Sequence, residues 1–184
     1  MFIFIFTLFP ILASLVMAAL CALSDFRRLR IPNEYILITL GLFVFTQIIA
    51  YTSGSVDTII PSLPSSLFAA LIIFALSALL FALRFMGAGD SKMMTVYALF
   101  FGLGSVLTFL FYMTTFGALL GISTLLLGKY KPFKAPLEGS WIFFAQNGDK
   151  TKVPYGIAIL AGIVFAYAHA GFLSPQTFLS LLSR

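Results

Sequence analysis

The sequence predicts an all-α membrane protein: a polytopic bundle of about six transmembrane helices with both termini outside. Three observations lead there. Of its 184 residues 61% are hydrophobic and only 9% charged, a balance that leaves too little polar surface for a water-soluble globule. The apolar residues are gathered in long runs, and the basic residues fall almost entirely between alternate runs. A helix rising about 1.5 Å per residue needs roughly 20 apolar residues to cross a hydrocarbon core of about 30 Å, so the runs can be counted as spans.

The first run extends from Phe2 to Leu23, the second from Tyr35 to Tyr51 and the third from Ser66 to Leu83. Met93 to Leu127 is too long for one span. Gly102, Leu103, Gly104 and Ser105 offer a break that divides it into a short fourth helix and a longer fifth. The sixth runs from Tyr155 to Phe172, and Pro175 opens a polar tail. No basic residue precedes the first run, which exceeds the roughly 7–15 apolar residues of a signal-peptide core, so it reads as a retained helix. Residues 1–184 are expected to form one integral-membrane domain. A single cysteine, Cys21, excludes an internal disulfide and a multi-cysteine zinc site.

Orientation follows from charge. Arg27, Arg28 and Arg30 follow the first helix, Arg84 and Lys92 flank the link between the third and fourth, and Lys129, Lys131, Lys134, Lys150 and Lys152 precede the sixth. With six spans, all of the eleven basic residues except Arg184 lie on one side, which the positive-inside rule makes the cytoplasm. Five spans would move the lysine-rich loop to the other face. The expected setting is therefore the inner, cytoplasmic membrane, with lipid headgroups as partners of the basic residues. The net charge of +5 needs no nucleic acid to explain it.

There are six acidic residues: Asp25, Glu34, Asp57, Asp90, Glu138 and Asp149. Asp25 lies where the first helix reaches the cytoplasmic face, and Asp90 where the fourth helix leaves that face. Two carboxylates distant in sequence thus share one depth in the membrane. Like charges a few ångströms apart resist joint ionisation, so one acid of such a pair keeps its proton and the other gives it up. The ionised partner can then take a proton from water while the protonated one polarises a peptide carbonyl, which is aspartic-protease chemistry. Each acid also has a structural reading: Asp90 as an ordinary helix start, accepting backbone N–H groups of the first turn, and Asp25 as a partner for Arg27 or Arg28. Gly87 and Gly89 weigh against a simple cap, because glycine opens unusual backbone conformations and allows close approach of another chain.

Three segments carry a resemblance. "GAGDSK" at 87–92 looks like the Gly-x-Gly-Asp-x-Lys signature of type IV prepilin peptidases, and "SDFRRLRIPNE" at 24–34 is similar to that family's first motif. "VPYGIAILAG" at 153–162 resembles the segment that opens its last conserved helix. The resemblance implies a membrane aspartic endopeptidase that removes the leader of pilin-like precursors at the cytoplasmic face. Carried onto this chain, the catalytic pair is Asp25 and Asp90, with Gly87, Gly89 and Lys92 forming the active-site loop, and no metal or other cofactor is needed. The compact form looks like the branch serving Flp-type, tight-adherence pili, and archaeal preflagellin peptidases are similar in size. Larger members carry an amino-terminal domain with a four-cysteine zinc cluster and methylate the new pilin amino terminus. Here the first helix begins at residue 2 and one cysteine remains, so neither zinc nor methyltransferase activity is expected.

Other residues read as supports. Pro32 disfavours helix before it and Asn33 can cap the second helix, so Ile31-Pro32-Asn33 makes a tight link that fixes the first helix against the second. Arg30 suits a carboxylate or a lipid headgroup. Pro154 and Gly156 let the sixth helix start close to its neighbours. Trp141, Phe143 and Phe144 suggest contact with the membrane interface, and Asn147-Gly148 is a hairpin turn signal, so a short amphipathic hairpin over the cytoplasmic mouth is expected. The rival function from another class is a small proton-coupled transporter or channel, for which acids should be spread through the bilayer rather than gathered at one face.

Overall fold

The computed structural model describes residues 2–53, 60–133, 136, 138, 140–147 and 153–170. The loop around Asp57, Lys134, Lys150 and Lys152, the Gly148 half of the turn signal and the tail beyond residue 170 lie outside these. The described chain is helical: α1 (Phe2–Arg28), α2 (Asn33–Ser53), α3 (Leu63–Ala82), α4 (Ala88–Tyr130), α5 (Trp141–Gln146) and α6 (Tyr155–His169). Four of these, α1 to α4, are long and apolar enough to cross a membrane, and α6 is a shorter apolar helix.

The break predicted near Gly102 is a real feature of α4. This 43-residue element is interrupted at Gly102, whose backbone sits at φ 55°, ψ −169°, a region open essentially to glycine alone. The Leu103 N–H freed there donates to Ser65 Oγ of α3 (3.0 Å), which keeps the break from stranding a polar group in an apolar setting. Contacts along α4 show that it folds back on itself. Its first arm runs from Asp90, near the end of α1, past Tyr97, which donates to Ser14 O (2.6 Å). Its second arm returns beside α6: Phe109 and Met113 pack on Gly162, Gly117 lies against Tyr155, and Thr124 reaches Trp141. Counting the two arms separately and adding α6 recovers the six predicted apolar segments. A Cβ at residue 102 would lie 2.7 Å from Pro61 Cβ and 2.8 Å from Ser65 Oγ. Gly102→Ala is therefore expected to destabilise the protein by on the order of 2–4 kcal/mol, backbone strain and overpacking acting together. The check is a melting curve in detergent, followed through reactivity of the buried Cys21 thiol.

The packing faces have a regular spacing that the uniform apolarity of the helices conceals. On α1 the buried positions include a stripe, Ile11, Ser14, Ala18, Cys21 and Asp25, alternating three and four apart, with Pro10 and Ala22 beside it, and on α2 they are Ile36, Thr39, Phe43, Thr46 and Ala50. The other faces, such as Leu37, Val44 and Ile48 on α2 or Leu71, Phe74 and Leu79 on α3, are exposed and suit lipid. Small residues on α3 (Ser66, Ala69, Ala70) and α6 (Gly156, Ala158, Gly162) are buried and allow close helix approach. The centre is the first arm of α4, where Met93, Met94 and Val96–Phe101 are all buried. Hydroxyls of Ser14 and Tyr167 share a hydrogen bond (2.9 Å), joining α1 to α6 in that core.

Candidate active site

Asp25 is the last member of the buried stripe on α1 and is only 6% exposed. Its partner is the backbone N–H of Gly156, which donates to Asp25 Oδ2 at 2.8 Å, rather than Arg27 or Arg28. The cause lies in α6. A helix start leaves its first N–H groups without intrahelical partners, and Pro154 at the N-cap has no side-chain oxygen to take one. Asp25 supplies the acceptor from another helix, with its charge at the favourable end of the α6 dipole. Gly156 is required by the same contact: a Cβ there would come within 2.9 Å of Asp25 Cβ and 3.0 Å of Oδ2.

Asp90 lies in the first turn of α4 and is 9% exposed. Its Oδ2 accepts the N–H of Gly87 at 3.3 Å, so the helix-start reading of this residue is part of the structure. Of the two reasons the sequence suggests for the flanking glycines, close approach applies and unusual backbone does not. Gly87 has φ −75° and ψ 150°, ordinary extended backbone. What both positions lack is room: a Cβ at Gly87 would lie 2.9 Å from Asp90 Oδ2, and one at Gly89 would lie 3.1 Å from Ile31 Cβ. Gly89 is thus where the start of α4 packs against the α1–α2 link. Ser91 Oγ, next in the chain, pairs with Ser77 Oγ of α3 (2.8 Å, both buried) and holds the first turn of α4 in place.

The two segments meet around one cavity of about 320 Å³, lined by Asp25, the Leu29–Asn33 link, Gly87–Asp90 and Lys92. The link is held at several points. The Leu29 N–H bonds Asp25 O (2.7 Å) in a left-handed turn (φ 51°) that ends α1, and Ser24 Oγ donates to Arg30 O (2.8 Å). Asn33 differs from its expected capping role: its Oδ1 accepts from Lys92 Nζ at 3.0 Å, tying the start of α2 to the start of α4. Arg30 and Lys92 are exposed on the rim, and Pro32 is half-buried in the link between them. Two carboxylates facing one opening, backed by apolar helices, form an arrangement that can hold and activate water against a bound peptide. Among the described residues no group of three or more His, Cys, Asp or Glu side chains is placed to hold a metal ion.

A family model described as the type IV leader peptidase family matches residues 12–122, more than half of the chain and a stretch that includes both acids. The chain belongs to the type IV leader peptidase family. It is thus a multi-pass membrane protein of a peptidase family whose substrates are prepilin-like. No curated protein and no solved structure matches it. Pro154 and Gly156 lie beyond the matched residues, and only the fold connects them to Asp25.

Two features differ from expectation. The first half of the expected hairpin is the short helix α5, capped by Ser140 Oγ accepting from Phe143 N–H, and the second half lies outside the described residues. Trp141, expected at the membrane interface, is 7% exposed and inserted between α1 and α4. Ser77 and Ser91 were also not singled out by the sequence. Their signal would have been a hydroxyl directly after the acid in "GDSK", facing one in an otherwise apolar helix.

Proposed function

We propose that this leader peptidase is an aspartic endopeptidase that cuts Flp-type prepilins at the cytoplasmic face of the inner membrane, with Asp25 and Asp90 as the catalytic pair. The observation that carries the reading is the convergence of these two buried acids on a single cavity. An extended prepilin segment enters the cavity, and water between the acids loses a proton to the ionised carboxylate as its oxygen bonds the scissile carbon. The protonated carboxyl donates to the carbonyl oxygen. Collapse of this tetrahedral species breaks the C–N bond: the amine takes the proton that water gave up, a hydroxyl of the diol returns its proton to the other carboxylate as the new carboxyl group forms, and the pair again holds one proton. Gly87 and Gly89 keep the loop close to Asp90 and to Ile31, and Lys92 holds it through Asn33. Pro154 and Gly156 present the α6 N–H that orients Asp25, while Arg30 and Pro32 shape the rim.

The cytoplasmic orientation rests on charge. Arg27, Arg28, Arg30, Arg84, Lys92, Lys129 and Lys131 are all exposed at or beside helix ends, and Arg30 and Lys92 line the cavity itself. The testing experiment is co-expression of the chain with a Flp-type prepilin, read by gel shift and mass spectrometry. Removal of the leader is the expected result. Well-expressed protein that leaves several such prepilins intact would overturn the proposal and favour a transport role on the same scaffold.

A further inference from the structure

Asp25 sits one turn from the end of α1, where a helix is prone to fray, and the residues that follow it include two exposed arginines. Besides the hydrogen bonds at its end, this turn is packed against α5. Phe26, next to Asp25, meets Trp141 edge-on, ring centroids 5.9 Å apart at 64°. The indole N–H donates to Thr124 Oγ1 (3.0 Å), and that hydroxyl in turn donates to Leu120 O (2.8 Å), so the ring is fixed in orientation against the second arm of α4. The other end of α5 is also tied down: with its amide turned to satisfy both groups, Gln146 donates to Phe133 O (3.0 Å) and accepts from Phe133 N–H (2.9 Å).

We propose that Trp141 is a positioning residue for Asp25, a wedge that is braced on Thr124 and presses on Phe26 so that the Asp25 carboxylate stays on the Gly156 N–H and turned to the cavity. The inference builds on the two-aspartate reading for its catalytic consequence, but its structural half stands apart from it. An aromatic pair of this geometry is favourable beyond the area it buries, and the indole N–H leaves the ring one preferred orientation. Loosening the wedge frees the last turn of α1 while the remainder of that helix stays packed, and a displacement of about 1 Å at a reacting group costs on the order of 10²-fold in rate.

The test compares the wild-type chain with Trp141→Ala, Thr124→Val and Thr124→Ser. The first readout needs no cleavage. The Gly156 amide, at the start of α6, has Asp25 Oδ2 as its acceptor, so its hydrogen exchange reports where that carboxylate is. Exchange at Gly156 is expected to quicken by about tenfold in Trp141→Ala and by a smaller factor in Thr124→Val, with the Ile159 and Ile163 amides unchanged. Thr124→Ser, which keeps the hydroxyl, should restore wild-type exchange. The second readout is cleavage of a prepilin peptide, where kcat should fall in the same order and KM stay within about twofold.

Equal Gly156 exchange in all four proteins would overturn the proposal, as would a rise shared by the whole of α6, which would make Trp141 general support. Should Trp141→Ala fail to fold, Thr124→Val against Thr124→Ser decides, since valine keeps the shape of threonine without its hydroxyl and serine keeps the hydroxyl without the methyl. Selective quickening at Gly156 combined with full cleavage by an Asp25→Asn chain would leave the wedge standing and remove the two-aspartate mechanism.

Discussion

Asp25→Asn and Asp90→Asn are each expected to lower leader cleavage by at least about 10²-fold, the scale of a lost general acid or base, while leaving the protein folded. Asparagine suits this test because it keeps the size of the side chain and one carbonyl oxygen. In Asp25→Asn that oxygen can still accept the Gly156 N–H, and in Asp90→Asn it can still accept the Gly87 N–H, so each helix start retains its acceptor. The titratable proton and the charge are removed, and an amide NH2 takes the place of one oxygen. Because both acids serve one water, the double variant should be hardly slower than either single one. Glu34→Gln is the control: Glu34 is exposed in the first turn of α2 and does not line the cavity. Mass spectrometry of co-expressed prepilin measures cleavage, and Cys21 reactivity on heating measures folding. Wild-type cleavage by either aspartate variant would remove that residue from the mechanism.

Much of the architecture was legible because the bilayer imposes a length. Runs of about 20 apolar residues mark spans, and the break at Gly102 could be located because the run containing it was too long and held Gly102 and Gly104 two positions apart, followed by Ser105. The meeting of Asp25 with Asp90 was legible from depth, since both stand at ends of spans on the lysine-rich and arginine-rich side. Which helices adjoin was hidden, for a physical reason. In lipid the outer face of a helix is as apolar as its packed face, so Leu37 facing outward and Phe43 facing inward look alike in sequence. Position in the buried register was nevertheless present: Asp25 follows Ile11, Ser14, Ala18 and Cys21 at the same spacing. Reading that stripe would have shown the acid pointing into the bundle rather than toward Arg27 or Arg28. Trp141 misled because tryptophan suits both a membrane interface and a buried site with a hydroxyl acceptor, and Thr124 gives no sign in sequence of being that acceptor. The bond from Gly156 to Asp25 was out of reach, being made by backbone.

Outside the acid pair, Gly156→Ala is the substitution expected to cost most in activity. Helix propensity alone favours alanine, by up to about 1 kcal/mol in a helix interior and less in the first turn, where Gly156 lies. Against this, the added methyl would lie 2.9 Å from Asp25 Cβ, 3.0 Å from Oδ2 and 3.3 Å from Ala22 Cα. Two of those three atoms belong to the backbone or the root of a side chain on a packed helix, and neither can swing aside as a flexible tip would. Overpacking of this kind costs about 1–3 kcal/mol, so crowding wins and the protein should melt at a lower temperature. Activity should fall further than stability, because the chain relieves the clash by moving α6 off α1, and that motion pulls the Gly156 N–H away from the Asp25 carboxylate. A shift near 1 Å predicts a loss of about 10²-fold, seen in kcat more than in KM. Gly104→Ala and Gly121→Ala are the matched controls, since a Cβ at either position meets nothing within 4 Å. They should cleave as the wild type does and melt no lower. If Gly156→Ala behaves as they do, the α1–α6 contact is looser than these distances require, and Asp25 must be held by something other than the start of α6.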